Sequence, residues 1–370
     1  MTFFIIFFVG LLLLTLSIGL NRPLSPPWLI IHLLAAIILF TEPNAYNVAD
    51  RGGYYDILHG YINADIDYQF SFIIFRSEIA WLFIVRSIYV FVDDPALLYG
   101  LVSVINLCLM YFSCWFILDQ FINKSFLANQ SDKDESVNHL LLLLIIYSWF
   151  ASYYCLSVLR AGLSIAFMML SFGLLMRKYW ILSSFAVMMS ALSHATGFLS
   201  WFSMGALPLM KFSKKWYLTF WLFWFLVALT PIPALFANID FNSLLGLSTV
   251  KSISVLGAYA SINFGNTAEV FPFFLFYKLI VVFFVIITLP KSPLLCFNLL
   301  NVVLIGTALS VLGRDVSAFS RLSDFFFIPI IPLLYVCIEE TKRFMGKFWL
   351  CFFFSMPVFV FNLRLVLRDY

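Results

Sequence analysis

YYCLSVLRAGLSIAFMMLSFGLLMRKYWILSSFAVMMSALSHATGFLSWF, residues 153–202, is the stretch that decides the fold. Two apolar runs, 160–176 and 179–193, are separated only by Arg177 and Lys178, and a third begins at 196 after the polar break Ser193-His194. A helix of about 20 apolar residues matches a hydrocarbon core of about 30 Å, so such runs with short polar links describe helices that cross a bilayer and turn back. Strands of a membrane barrel would alternate apolar and polar over about ten residues. That alternation is absent here.

Working outward, the same pattern fills the chain. Of 370 residues 63% are apolar and 11% charged, and the mean hydropathy is +1.00. The expected spans are approximately 2–20, 27–41, 96–118, 139–156, 160–176, 179–193, 196–210, 216–236, 270–289, 293–312, 323–338 and 348–363. The expected fold class is therefore all-α: a polytopic integral membrane protein of about 12 transmembrane helices, residues 1–370 forming one integral domain without internal repeats. The first run has no basic residue before it and no small-residue cleavage site after it, which predicts a retained helix. The net charge of +3 is too small and too dispersed for nucleic acid. Six cysteines without paired spacing read as packing residues.

Basic residues in short loops set the orientation. With Arg22 placed inside, the inner links hold 12 of the 22 basic residues, including every lysine except Lys251 and Lys278. The remaining cations are mostly arginines and need another explanation. Outer loops are expected at about 42–95 and 237–269, and a solvated cytoplasmic loop at about 119–138. Phe70–Val92 is long enough to span, but a crossing there would turn Arg177-Lys178, Lys211-Lys214-Lys215 and Lys342-Arg343-Lys347 outward. At 100° per residue Arg76 and Glu78 point about 200° apart, so one polar stripe cannot hold both. An outer-side interfacial or re-entrant helix fits better.

Six ionisable residues then fall on the outer side: Arg51, Glu78, Arg160, His194, Arg314 and Arg321. Ionisable groups at membrane depth are costly unless paired or facing water, and so mark functional sites. Arg51 lies in ADRGGYYD, where Gly52 and Gly53 allow close approach of the backbone to a ligand. Arg160 has no acid within four residues on either side. Several guanidinium forks on one membrane face suit a phosphate or diphosphate. Structural roles stand beside these: Arg51 with Asp50 or Asp56, Arg314 and Arg321 with Asp315 and Asp324, Glu78 with Arg76, and His194 as a hydrogen-bonded loop residue. Lys278, deep in its run, is expected to pair internally or snorkel, and Asp65 and Asp67 to decorate a wet loop. No P-loop, GxSxG, HExxH or CxxC occurs, so no metal site and no cofactor is expected.

The quoted stretch resembles the core of the EpsG/Wzy group of bacterial polysaccharide polymerases. Arg160, Ala161 and Gly162, the Arg177-Lys178 turn and Ser193-His194 occupy the places of that pattern. ADRGGYYDILHGY with Glu78 downstream is similar to the family's first outer loop, although here the glycines follow Arg51 directly. SAFSRLSDFFFIP resembles its C-terminal arginine region. The resemblance implies a GT-C-like glycosyltransferase of the bacterial inner membrane, with its active site on the periplasmic or outer side. Its substrates would be undecaprenyl-diphosphate-linked oligosaccharide repeat units, of O-antigen or capsule type, and a chain-length regulator and a flippase are candidate partners. On that basis Arg160, Arg321, Arg51 and Arg314 are expected to hold the diphosphate. Glu78 or His194 would be the catalytic base, and Tyr54, Tyr55 and Tyr61 would contact sugar. A flippase or other transporter of lipid-linked oligosaccharide, and a glycan ligase, are the alternatives.

Overall fold

The computed structural model describes residues 2–16, 40, 78–126, 137–206, 211–233, 272–289, 294–314, 317–341 and 343–368. Every regular element among them is helical: α1 (Thr2–Leu14), α2 (Ile79–Tyr89), α3 (Pro95–Phe126), α4 (His139–Ile146), α5 (Leu159–Met176), α6 (Trp180–Ser193), α7 (Leu199–Ala206), α8 (Lys214–Ala228), α9 (Pro272–Thr288), α10 (Leu294–Leu312), α11 (Ser317–Phe327), α12 (Ile330–Glu339) and α13 (Phe344–Arg368). A π-helix, Tyr147–Cys155, continues α4, and a 3₁₀ turn, Ala195–Phe198, links α6 to α7. Among the described residues, three helical stretches are long and apolar enough to cross a membrane alone: Pro95–Phe121, Leu159–Met176 and Met345–Arg364. The other apolar helices are shorter, and large side chains such as Trp180, Trp201, Phe202 and Phe223 lie exposed on their outer faces. A water-soluble surface would not carry them in such number; a membrane-embedded one would.

The quoted stretch folds as a tight antiparallel hairpin. α5 ends on Arg177, and Lys178 takes the left-handed conformation at φ 67. Tyr179 N–H donates to Leu174 O and Lys178 N–H to Leu175 O, both at 2.9 Å, a paired closure of the helix end that commonly uses glycine in the Lys178 place. Serines staple the two helices. Ser164 Oγ and Ser190 Oγ each donate to the other's carbonyl at 2.8 Å, and Ser183 Oγ donates to Ser171 O at 2.9 Å. In an apolar medium each such bond contributes about 0.6 kcal/mol.

α3 runs parallel to α5 on its other side. Asn106 Nδ2 donates to Leu159 O at 3.0 Å near one end, and Asp119 pairs with Arg177 at 2.6 Å near the other. The Arg177 guanidinium also lies over the Phe116 ring at 4.2 Å. These contacts carry α3 beyond its expected end at 118: residues 119–126 are helical, where the start of a solvated loop was expected. The charged partner across from Asp119 gives the extra turns something to bind.

Cations segregate along the bundle. Arg177 with Asp119, Lys347 with Glu339, and Lys214 Nζ donating to Ile287 O mark the lysine end. The opposite, arginine end holds Glu78, the first turn of α5, His194 and Arg314.

Two expectations are corrected. The single span at 323–338 is two helices, α11 and α12, parted at Ile328-Pro329. Proline has no N–H and its ring crowds the carbonyl four residues back, which breaks a helix. The break also lets the backbone at Phe326 and Phe327 press on Gly306 of α10, where a Cβ would meet Phe327 N at 2.6 Å. Second, the run 139–156 is α-helical only to Ile146. Beyond it Ser148 Oγ donates back to Leu144 O and Ser152 Oγ to Ser148 O, and Asn362 of α13 also donates to Ser148 O. Side-chain donors entering the ladder are a recognised cause of such widened turns. Residues 17–20 at the end of the first expected span, and the expected span 27–41 apart from Phe40, lie outside the described residues, as do 70–77 and the loop 237–269.

Candidate functional site

At the arginine end α2 packs on α3, α5 and α6. Its 11 residues extend about 16 Å, about half of the hydrocarbon thickness. Trp81, Leu82 and Val85 face inward onto Leu98, Tyr99, Val102, Leu159 and Leu163, while Phe83 and Arg86 are exposed. This packing sets Glu78, at the N-terminus of α2, over the first turn of α5.

There the Arg160 guanidinium donates from Nη1 to Glu78 Oε2 in an ion pair whose side chains are 18% and 8% exposed. The two residues are 82 positions apart, which is why no local acid betrayed the partner. Asn106 and Gly162 fix the helix start beneath them: Asn106 binds Leu159 O, and a Cβ on Gly162 would lie 2.7 Å from Tyr154 O.

His194 closes the same hairpin. The staples 164/190 and 171/183 step by equal numbers of residues in opposite directions, so their register places position 194 level with position 160. The His194 backbone is extended, and its Nδ1 accepts from Thr196 N–H at 3.2 Å while standing 2.6 Å from Thr196 Oγ1. With Nδ1 accepting, the neutral ring carries its proton on Nε2, which makes His194 a donor toward an anion.

Arg314 follows α10 and donates from Nη1 to Ala228 O at 2.7 Å, at the C-terminus of α8. A cation there complements the helix dipole and satisfies a terminal carbonyl. Arg321 lies on α11; its side chain is outside the described residues, as are Arg51, Tyr54, Tyr55 and Tyr61 altogether, with Asp50, Asp56 and Asp315. Asp324, a partner offered to Arg321 by the sequence, gives Oδ1 to Lys278 Nζ at 2.9 Å and Oδ2 to the Tyr154 hydroxyl. Lys278 thus pairs internally. Sequence reasoning passed over Tyr154; a lone lysine in one apolar run and a lone acid in another were the available signal for the rest.

The structure brings Glu78 and Arg160 into contact and places His194 at their level; it sets Arg314 on α8. A family model, EpsG family, matches residues 28–366, nearly the whole chain. No curated protein and no solved structure matches it.

Proposed function

Because the chain belongs to the EpsG family, we propose that it is a polysaccharide polymerase that joins undecaprenyl-diphosphate-linked repeat units at the outer face of the inner membrane. Membership of the family supports a polysaccharide polymerase-type activity. The Arg160–Glu78 pair is the observation that carries the finer reading. A membrane protein rarely buries an arginine and a glutamate at a helix start without use for them. The remaining short apolar helices, with the segments between them, make up a GT-C-like, single-domain bundle of about 12 spans in this proposal.

In the proposed reaction the donor's diphosphate competes with Glu78 for the Arg160 fork. Arg160, with Arg321, Arg51 and Arg314, holds the diphosphate and stabilises the charge that grows on it. His194 donates from Nε2 to a phosphate oxygen. Glu78, released beside the phosphate, takes the proton of the acceptor hydroxyl. The acceptor oxygen bonds to the anomeric carbon as the carbon–oxygen bond to phosphate breaks, and that electron pair leaves on undecaprenyl diphosphate. A diphosphate leaves as an anion and needs no general acid. Tyr54, Tyr55 and Tyr61 contact sugar rings, and a flippase and a chain-length regulator act upstream and alongside.

Purified full-length protein given lipid-linked repeat units alone should make glycans of two or more units. A protein that only moves the units across vesicle membranes would be a flippase, and one that transfers them only to a different acceptor a ligase. Sidedness has its own check. A green fluorescent protein inserted within 127–136 should fluoresce, and alkaline phosphatase at the same place should be inactive, because the lysine end faces the cytoplasm. An active phosphatase there would put the Arg160 site on the wrong side for this reaction.

A further inference from the structure

We infer that Tyr154, Asp324 and Lys278 form a positioning clamp that sets α11, with Arg321, against the first turn of α5, with Arg160. The inference deepens the polymerase reading and rests on it, since it concerns how two diphosphate-binding arginines are spaced.

Lys278 sits in an apolar helix, PFFLFYKLIVVFFVIIT, and is 6% exposed. Its ammonium meets Asp324 Oδ1 at 2.9 Å and the ring faces of Phe327 and Phe274 at 4.7 and 5.2 Å. The other carboxylate oxygen of Asp324 accepts from Tyr154, itself 3% exposed, on the π-helix. One carboxylate is therefore divided between two elements, α9 and the π-helix. Such a pair adds little net stability over apolar packing; what directional bonds supply is orientation.

Tyr154 reaches the Arg160 side as well. Its carbonyl and Cβ are the surface on which Gly162 packs, where a Cβ would stand 2.7 and 3.0 Å away, and Gly162 lies two residues beyond Arg160. Position 321 precedes Asp324 by three residues, a neighbouring place on the same helix surface. A continuous set of contacts thus runs from the start of α5 through Gly162, Tyr154 and Asp324 to α11. Ser310 and Ser323, joined at 2.8 Å, and the close approach at Gly306 hold α11 from α10. With both sides fixed, the rotation of α11 about its axis is determined, and with it the backbone position of residue 321. None of the three clamp residues needs to touch substrate; each acts through the arginines.

The test uses purified full-length protein in nanodiscs with lipid-linked repeat units. A small misplacement of binding groups costs up to about a hundredfold in rate, so Tyr154→Phe should lower kcat/KM at least about tenfold while leaving melting temperature near the wild-type value. In an Arg321→Ala background the same change should cost less than about twofold, because a clamp has nothing left to position. Equal losses in the two backgrounds, or none in either, would overturn the clamp. Hydrogen exchange gives a readout without activity. Amides of 317–327 should exchange faster in Tyr154→Phe and in Lys278→Met, with 139–146 unchanged, and unchanged exchange in α11 would also overturn it. Wild-type protein that elongates nothing would sink the polymerase reading instead, while the exchange of α11 still decides whether the clamp exists.

Discussion

Arg160→Ala should leave cells with single repeat units where the wild type makes long chains, with the protein still present in the membrane. Two effects add. The guanidinium that meets the diphosphate is gone, and loss of one such preorganised donor costs about 10²–10³ in rate. Glu78, 8% exposed, is also left without the charge it pairs with, and removing one partner of a buried pair costs about 3–5 kcal/mol. Arg160→Lys separates the two. It keeps the positive charge beside Glu78 and loses the two-pronged fork, so accumulation should recover more than polymerisation does. Glu78→Gln keeps the shape and removes the proposed base; its loss should fall on kcat more than on KM. The glycan ladder on a gel, an immunoblot of the membrane fraction and the purified assay together check this. Wild-type chain length in Arg160→Ala would remove the site from this end of the bundle.

Gly197→Ala should be as damaging by a different route. A Cβ at 197 would lie 2.0 Å from Ser190 O and 2.6 Å from Ser164 Oγ, distances at which backbone must shift. Those two atoms belong to the reciprocal staple between α5 and α6. The cost combines overpacking, about 1–3 kcal/mol, with loss of the staple. It also moves His194, three residues earlier on the same turn. Gly205→Ala is the matched comparison, since a Cβ there meets nothing within 4 Å. Its melting temperature, followed by fluorescence of a C-terminal fusion, should match or exceed the wild type, while Gly197→Ala should melt well below it or fail to accumulate. Equal melting of the two variants would show that the staple tolerates the intrusion.

The hairpin that carries these predictions was legible in the sequence because its information is local. Apolar runs set the lengths of α5 and α6, and Arg177-Lys178 marked the turn. Glu78 was legible as a candidate too, as an ionisable residue beside an apolar run. What stayed hidden was non-local. Nothing near Arg160 points to an acid 82 residues away, and nothing near Asp324 favours Lys278 over Arg321, only three positions distant, until α9 and α11 are packed. The break at Pro329 was written in the sequence but masked by the unbroken apolarity of 325–338. The π-helix depends on Asn362 of a distant helix as well as on its own serines. Composition reports the solvent of a segment; pairing reports its neighbours, and only the fold supplies those.

The serine staples of α5 and α6 also bear on how the chain is made. Each helix alone would enter lipid carrying hydroxyls whose partners are on the other helix: Ser164 and Ser190 bond each other's carbonyls, and Ser183 bonds Ser171 O. Emerging from the ribosome in sequence and joined by a three-residue turn, 177–179, the pair can satisfy those groups before either helix leaves the insertion machinery. The segment from Arg160 to His194 is then delivered to the bilayer as one preassembled unit, with both of its terminal polar residues arriving together on the same side.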